Sequence, residues 1–299
     1  MVNLPTPLQE INHPLLDEKK VQLFVKRDDL IHPEIMGNKW RKLKYNLAAM
    51  QKTGIKSLVT MGGAYSNHIA ATAAMAYENK LEAIGIIRGD ELTKDSNPTL
   101  SKAHEKGMVL KFVDRTIYRQ YRDNPHLVQN EYPTHYFLPE GGTNDDAIRG
   151  TGQIIPEIKE SFDIIVTPVG TGGTFAGLLA SCSSKQKVIG VSTLKGKFIH
   201  DEMGSLLNTH QISGPYEIID NYHFGGYGKV NSVLIDFINW FKENFNIPLD
   251  PIYTGKSFFT VWDMIKTDKF EKNLKIVLLH TGGLQGIEGF NRKLENIIQ

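Results

Sequence analysis

The feature that most constrains this chain is an alternation. Short β-branched runs hand over to longer helical stretches, and glycine often stands where they meet. Strand-like runs occur at 21–26, 56–60, 83–88, 109–113, 163–168, 188–192 and 275–279, with helix-like stretches at 39–53, 67–79, 174–183 and 230–246. That spacing predicts right-handed strand–helix–strand units around mostly parallel sheet, an α/β fold. Many of the strand runs are apolar without alternating, as strands covered on both faces should be. Ten of the 27 glycines fall in five Gly-Gly pairs, at 62–63, 141–142, 172–173, 225–226 and 282–283. Glycine pairs behind strands mark turns where backbone must approach a ligand closely, so the excess reads as a site signal. The segment 114–134 is the least periodic and reads as a long excursion or surface helix, with a boundary near 140–150.

Composition serves mainly to exclude. The 299 residues, 40% of them hydrophobic, can build a real core as one large domain or two ordinary ones. Thirty-four basic against 33 acidic side chains leave a net charge of +1, which argues against a nucleic-acid partner. No apolar run approaches the about 18 residues of a membrane helix, and the first residues lack the basic-then-apolar pattern of a secretory signal. The single cysteine, Cys182, can form no internal disulfide, so a reducing, cytoplasmic setting is expected. Its surroundings, LLASCSS, suggest a small buried side chain and not a nucleophile.

Three motifs carry chemistry. Gly170-Thr171-Gly172-Gly173-Thr174 joins an apolar strand to a helix, so its backbone N–H groups and hydroxyls suit a phosphate; a tight turn needing positive φ is the plainer reading. A dinucleotide fingerprint would need glycine where Phe175 stands, and the P-loop candidate at Gly255-Lys256-Ser257 has Asp250 in place of its first glycine. A phosphate-bearing cofactor that is not a dinucleotide survives. Second, the segment 37–44 opens a helix with four cations, Lys39, Arg41, Lys42 and Lys44, against the helix dipole. Asp28 or Asp29, a bound anion, or a lysine held neutral could compensate; a solvated basic turn is the alternative. Lys39 lies nearest the positive end, where its pKa would fall as a Schiff-base lysine requires. Third, Gly62-Gly63-Ala64-Tyr65-Ser66-Asn67-His68 precedes an alanine-rich helix. Ser66 or Asn67 can cap that helix, and the free N–H groups suit a substrate carboxylate. Tyr65, Ser66 and His68 form no readable hydrolase triad.

Taken together in this order, VKRDDL (25–30), GNKWRKLKYNL (37–47), GGAYSNH (62–68), FLPEGGTN (137–144), VGTGGTFAGL (169–178), DPIYTGK (250–256) and LLHTGG (278–283) resemble one family. It is the pyridoxal-phosphate enzymes of the tryptophan-synthase-β type, fold type II, in the branch of 1-aminocyclopropane-1-carboxylate deaminase and D-cysteine desulfhydrase. The resemblance implies two open-sheet α/β domains with the cofactor, pyridoxal 5'-phosphate, in the cleft between. Residues 1–44 and 146–299 would form the large domain and 45–145 the inserted one, in a homodimer whose cleft closes on substrate. Lys39 would bind the cofactor covalently and shuttle protons. Asn67 would meet its phenolic oxygen, Gly170, Thr171, Gly172, Gly173 and Thr174 its phosphate, and Thr281 its pyridine nitrogen. Ser66, Asn67 and His68 would take the substrate carboxylate, with Ser66 near the reacting carbon and Tyr253 leaning over it.

The pair His280-Thr281 departs from the family's ring-opening deaminases, which carry tyrosine and an acid there. A neutral hydroxyl against the ring nitrogen makes a weaker electron sink. Loss of a good leaving group needs less than opening a cyclopropane. The expectation is therefore β-elimination from a small amino acid, with D-cysteine giving pyruvate, sulfide and ammonia, and with His280 and Tyr253 among the substrate contacts. Ring opening of 1-aminocyclopropane-1-carboxylate is one alternative. A catalytically inactive protein that binds the cofactor or another phosphate ligand is another.

Overall fold

The strands at the centre of this chain are largely apolar because each divides its side chains between two cores. In the computed structural model, which describes residues 2–292 and 297–299, ten strands form two sheets. They are β1 (Leu8–Ile11), β2 (Gln22–Lys26), β3 (Ser57–Gly63), β4 (Glu82–Arg88), β5 (Val109–Val113), β6 (Tyr136–Leu138), β7 (Ile164–Val169), β8 (Lys187–Ser192), β9 (Tyr216–Ile219) and β10 (Lys275–Leu279). The larger sheet runs β1-β2-β10-β7-β8-β9, parallel except for β1 against β2. The smaller runs β5-β4-β3-β6 and is parallel throughout.

On the large sheet, Leu23, Val25, Ile164, Val166, Ile276 and Leu278 point into a core covered by the helices Ser232–Phe245 and Thr254–Lys266. Their neighbours Phe24, Ile165, Val277 and Leu279 point the other way, against Gly173–Ser181 and Phe198–Thr209. Side chains in a strand alternate between faces, so two buried faces need an unbroken apolar run. The small sheet is built likewise. Leu58 and Ile87 pack with the helices Asn67–Glu78 and Asn38–Thr53, while Val59, Met61 and Ile86 pack against Tyr118 and Val128. Those last two belong to the segment expected as an excursion, which is two short helices, Arg115–Asp123 and Pro125–Glu131, covering the second face of the sheet. Asp114 caps the first through bonds from Thr116 N and Ile117 N, and Pro125 opens the second.

All seven expected strands are present. The three additional ones, β1, β6 and β9, are edge strands of three or four residues with partly exposed side chains, too short and mixed to register as apolar runs.

The helix Asp145–Gly152 is wedged between Asn38–Thr53 and Gly173–Ser181, and glycine sets both spacings. A Cβ on Gly150 would stand 2.0 Å from the Arg41 carbonyl oxygen, and one on Gly177 2.0 Å from Thr151 Oγ1. Gly150→Ala must push the Asn38–Thr53 helix outward, so we expect it to lose about 1–3 kcal/mol in a denaturant titration. Gly204→Ala, in a helix where an added Cβ meets nothing within 4 Å, should hold stability or raise it. Equal effects would refute the wedge.

Candidate active site

The cationic start of the Asn38–Thr53 helix shows how its charges are compensated. Arg41, fully buried, donates from Nε and Nη2 to Asp28 at 2.9 and 2.8 Å, and from Nη1 and Nη2 to Glu157 at 2.6 and 2.8 Å. Lys26 Nζ closes the cluster on Glu157 at 3.0 Å. Lys44 donates to Gln153 Oε1 at 2.8 Å and lies over the Trp40 and Tyr45 rings. Asp29 takes no part in this, because it pairs with Arg27. Lys39 and Lys42 are left without a carboxylate partner among the described residues, three positions apart and on one helix face.

Both of these lysines face a cavity of about 1020 Å³ between the two sheets. Among the described residues Lys39 Nζ has one hydrogen bond, to Asn38 Oδ1 at 3.1 Å. Burial lowers its pKa to about 8, against the opposing pull of the Asp250 carboxylate. Lys42 Nζ donates to Gly141 O at 2.9 Å and lies 3.1 Å from Thr143 Oγ1; burial, then the charge of Lys39, holds it well below the ordinary lysine value.

The loop Gly170–Thr174 lies beside Lys42. Gly172 has φ +78°, and a Cβ there would meet Met203 at 2.5 Å; a Cβ on Gly173 would stand 2.9 Å from Lys42 Nζ. Thr171 Oγ1 is 2.8 Å from Thr143 Oγ1, and Asn38 Nδ2 donates to Thr174 Oγ1 at 2.8 Å. Hydroxyls, an ammonium and the first N–H groups of the helix Gly173–Ser181 thus converge where glycine keeps the space clear. That donor set fits the phosphate of pyridoxal 5'-phosphate, and Lys39 Nζ is an amine in the same cavity that could meet its aldehyde. Gly141 and Gly142, both with φ near +66°, belong to the same seat: Gly141 gives Lys42 its carbonyl, and a Cβ on it would stand 2.5 Å from Thr171 Oγ1.

Across the cavity, Ser66 caps the helix Asn67–Glu78 by accepting from Ile69 N at 3.3 Å. Asn67 Oδ1 accepts from Gln285, and a Cβ on Gly283 would stand 2.6 Å from Asn67 Nδ2. The His68 ring is packed between Thr60, at 2.7 Å, and Thr72, and burial followed by Lys39 and Lys42 keeps it neutral. His68 also lines the cavity. Tyr253 lines the wall at the start of the helix Thr254–Lys266, whose backbone Asp250 holds by accepting from the N–H groups of Ile252, Tyr253 and Thr254. Burial raises its hydroxyl well above the phenol range, so it stays protonated at neutral pH.

Thr281 also lines the cavity, and its carbonyl abuts Gly37, where a Cβ would stand 2.0 Å away. His280 does not line it. Its Nε2 lies 2.7 Å from Pro248 O and its Nδ1 accepts from Gly282 N at 3.2 Å, with Asp29 Oδ1 3.6 Å away. The expected substrate contact through His280 is therefore corrected: backbone partners occupy both ring nitrogens. Cys182 lies outside the cavity wall, and burial pushes its thiol up to about 11.

Sequence reasoning missed several residues. Lys42 was one cation among four, although its spacing from Lys39 marks a shared face. Tyr227, in the loop of Gly225, Gly226 and Gly228, meets Tyr253 edge-on with ring centroids 6.1 Å apart. The buried Lys256 holds that loop by donating to His223 O and Gly226 O, each at 2.8 Å. An aromatic residue set among glycines was the available signal. Asn38, Thr143 and Arg88, also in the wall, had none.

Comparison with known proteins follows the same lines. A family model described as pyridoxal-phosphate dependent enzyme matches residues 1–282. A Pyrococcus abyssi protein provisionally named as a 1-aminocyclopropane-1-carboxylate deaminase is 30% identical, covering 98% of this chain and 93% of the relative. An Arabidopsis thaliana mitochondrial protein named bifunctional D-cysteine desulfhydrase/1-aminocyclopropane-1-carboxylate deaminase is 28% identical over 96% of this chain and 78% of its own. The crystal structure of a deaminase homologue of this kind superposes with a TM-score of 0.85 at 26% identity, covering 98% of this chain and 93% of that one.

The lysine makes a prediction in protein prepared without cofactor. Its folded-state pKa of about 8 lies below the ordinary 10.5, so between these values the unfolded chain holds a proton that the folded one has released. Stability should therefore rise as pH climbs from about 8 towards 10.5, and the rate of Lys39 acylation should titrate with a midpoint near 8. Asp250→Asn, which removes the opposing charge, should move that midpoint lower. A midpoint at the ordinary value would show Lys39 to be solvated.

Proposed function

We propose that this chain, which belongs to the pyridoxal-phosphate-dependent enzyme family, is a lyase that removes the β-substituent of a small amino acid. D-cysteine is the leading substrate, going with water to pyruvate, ammonia and sulfide. The bound cofactor supplies an electron sink next to the substrate's α-carbon. Thr281 is the observation that carries the choice of elimination. A neutral hydroxyl stands in the cavity wall where the resemblance places the partner of the ring nitrogen, and the weaker sink this implies suits a good leaving group.

The chain's own residues divide the remaining work. The Asn67 and His68 N–H groups at the helix start, with the Ser66 hydroxyl, bind the carboxylate and orient the substrate. Lys39 Nζ, whose pKa burial lowers to about 8, takes the α-proton in its neutral form. Tyr253, which burial keeps protonated, directs its hydroxyl as a hydrogen-bond donor to the departing sulfur. Lys42, Thr143, Asn38 and Gly170–Thr174 hold the phosphate end throughout. We take residues 45–145 as the inserted domain, and a cytoplasmic homodimer as the working form; sedimentation of the purified protein tests the dimer.

Ring opening of 1-aminocyclopropane-1-carboxylate to 2-oxobutanoate and ammonia is the second reading, supported by the names of the relatives. Assays with both substrates separate them: sulfide release should exceed ring opening, and the reverse order would overturn the choice. Lys39→Ala should abolish both turnover and the visible absorbance of lysine-bound cofactor; absorbance that persists would sink the assignment of Lys39. Tyr253→Phe should lower kcat by about 10²–10⁴ with little change in cofactor binding.

A further inference from the structure

Arg88 ends β4 and faces the cavity from the small sheet. Its guanidinium carbon lies 5.7 Å from the centre of the Tyr118 ring, and its Nη2 is 3.5 Å from where a Cβ on Gly63 would stand. No carboxylate pairs with it among the described residues. Of the three acids of the cavity wall, Asp123 takes Arg122 and Glu202 faces Arg122, while Glu140 accepts from the Tyr118 hydroxyl at 2.6 Å and makes no ion pair with Arg88. Arginine does not lose its charge, so one that faces a cavity without a counter-ion is a ready seat for an anion.

Its position identifies which anion. The phosphate end of the cavity has its own cation in Lys42, and the α-carboxylate has the helix start at Ser66 and Asn67. Arg88 lies beyond Gly63, on the side where its charge also acts on the Tyr227 hydroxyl, beside Tyr253. We propose that Arg88 receives a negatively charged group on the substrate's β-carbon, so that the site also accepts amino acids with an acidic side chain. The proposal rests on the reading of the chain as an enzyme of amino acids. With O-phosphoserine, Lys39 would take the α-proton, and the Cβ–O bond would break with its electron pair leaving on phosphate. Hydrolysis then gives, in sum, O-phosphoserine and water to pyruvate, ammonia and phosphate.

The holoenzyme should be titrated calorimetrically with aspartate and with alanine, each as both enantiomers, in the native protein and in Arg88→Gln and Arg88→Lys. One enantiomer of aspartate should bind at least about tenfold tighter than the matching alanine, as a charge-assisted hydrogen-bonded pair implies. Arg88→Gln should erase that preference while alanine affinity stays within about threefold, and Arg88→Lys should keep part of it. Equal binding of aspartate and alanine by the native protein would overturn the proposal. So would an Arg88→Gln protein that weakens on both alike, since Arg88 would then serve the α-carboxylate or the Tyr118 packing. An Arg88-dependent preference without turnover of O-phosphoserine or D-cysteine would uphold the substrate class and defeat the elimination reading instead.

Discussion

The Arg41 guanidinium is fully buried and gives its donors to two carboxylates, Asp28 and Glu157, while Lys26 reaches Glu157 from the end of β2. These four residues come from a strand end, the turn that follows it, the helix Asn38–Thr53 and the short helix before β7. Such a cluster adds little net stability over an apolar core of the same shape, but it is intolerant of losing one member, at about 3–5 kcal/mol. What it confers is position. Lys39 lies two residues before Arg41 on the same helix, so the cluster that pins Arg41 to the large sheet also sets the height and rotation of the lysine. The glycine contacts act on the same helix from its other side: Gly150 against the Arg41 carbonyl sets how far the helix stands from its neighbour, and Gly37 against Thr281 sets where it begins.

With Arg41 satisfied inside the protein, the charge imbalance of the helix start falls on Lys39 and Lys42. A helix N-terminus carries about half a positive charge, so a proton on either lysine beside it is opposed by the dipole and by a proton on the other. The fold removes part of the conflict by lowering both pKa values and part by giving Lys42 two oxygen acceptors. The remainder is an unfilled demand for negative charge, and it lies beside Thr171, Thr174 and the glycines that keep room for a phosphate.

How much of this was legible in the sequence depends on the distance over which each feature is decided. Central strands were readable because burial on both faces leaves a continuous apolar run. The edge strands β1, β6 and β9 were not, since three or four half-exposed residues look like loop. The phosphate loop and the Ser66 cap were readable because a strand-to-helix turn is a local event. The fate of the four cations was not. Asp28 and Asp29 are adjacent and chemically identical, yet the turn at 28–30 sends one to Arg41 and the other to Arg27, while Glu157 comes from 116 positions beyond Arg41. His280 illustrates the same limit. Its place beside Thr281 suggested a substrate contact, but its direction is decided by Pro248 O and the Gly282 N–H, and it turns into the core.

Tyr227 shows the converse, a site residue delivered by scaffolding far from it in the chain. The backbone at Gly225, Gly226 and Gly228 takes φ of +95°, +111° and +66°, values that side chains avoid, so the loop has no regular structure to hold it. Lys256, on the helix that begins beside Tyr253, supplies that hold by donating to two of the loop's carbonyls. The two tyrosines therefore share one foundation. Asp250 anchors the start of the helix, the helix carries Tyr253 and Lys256, and Lys256 fixes the loop of Tyr227. Asp250 also keeps the pKa of Lys39 from falling further. A single buried carboxylate thus links the placement of both phenols to the proton affinity of the amine they face. Acid and base in this cavity are accordingly tuned by one group, and a change at Asp250 must alter both.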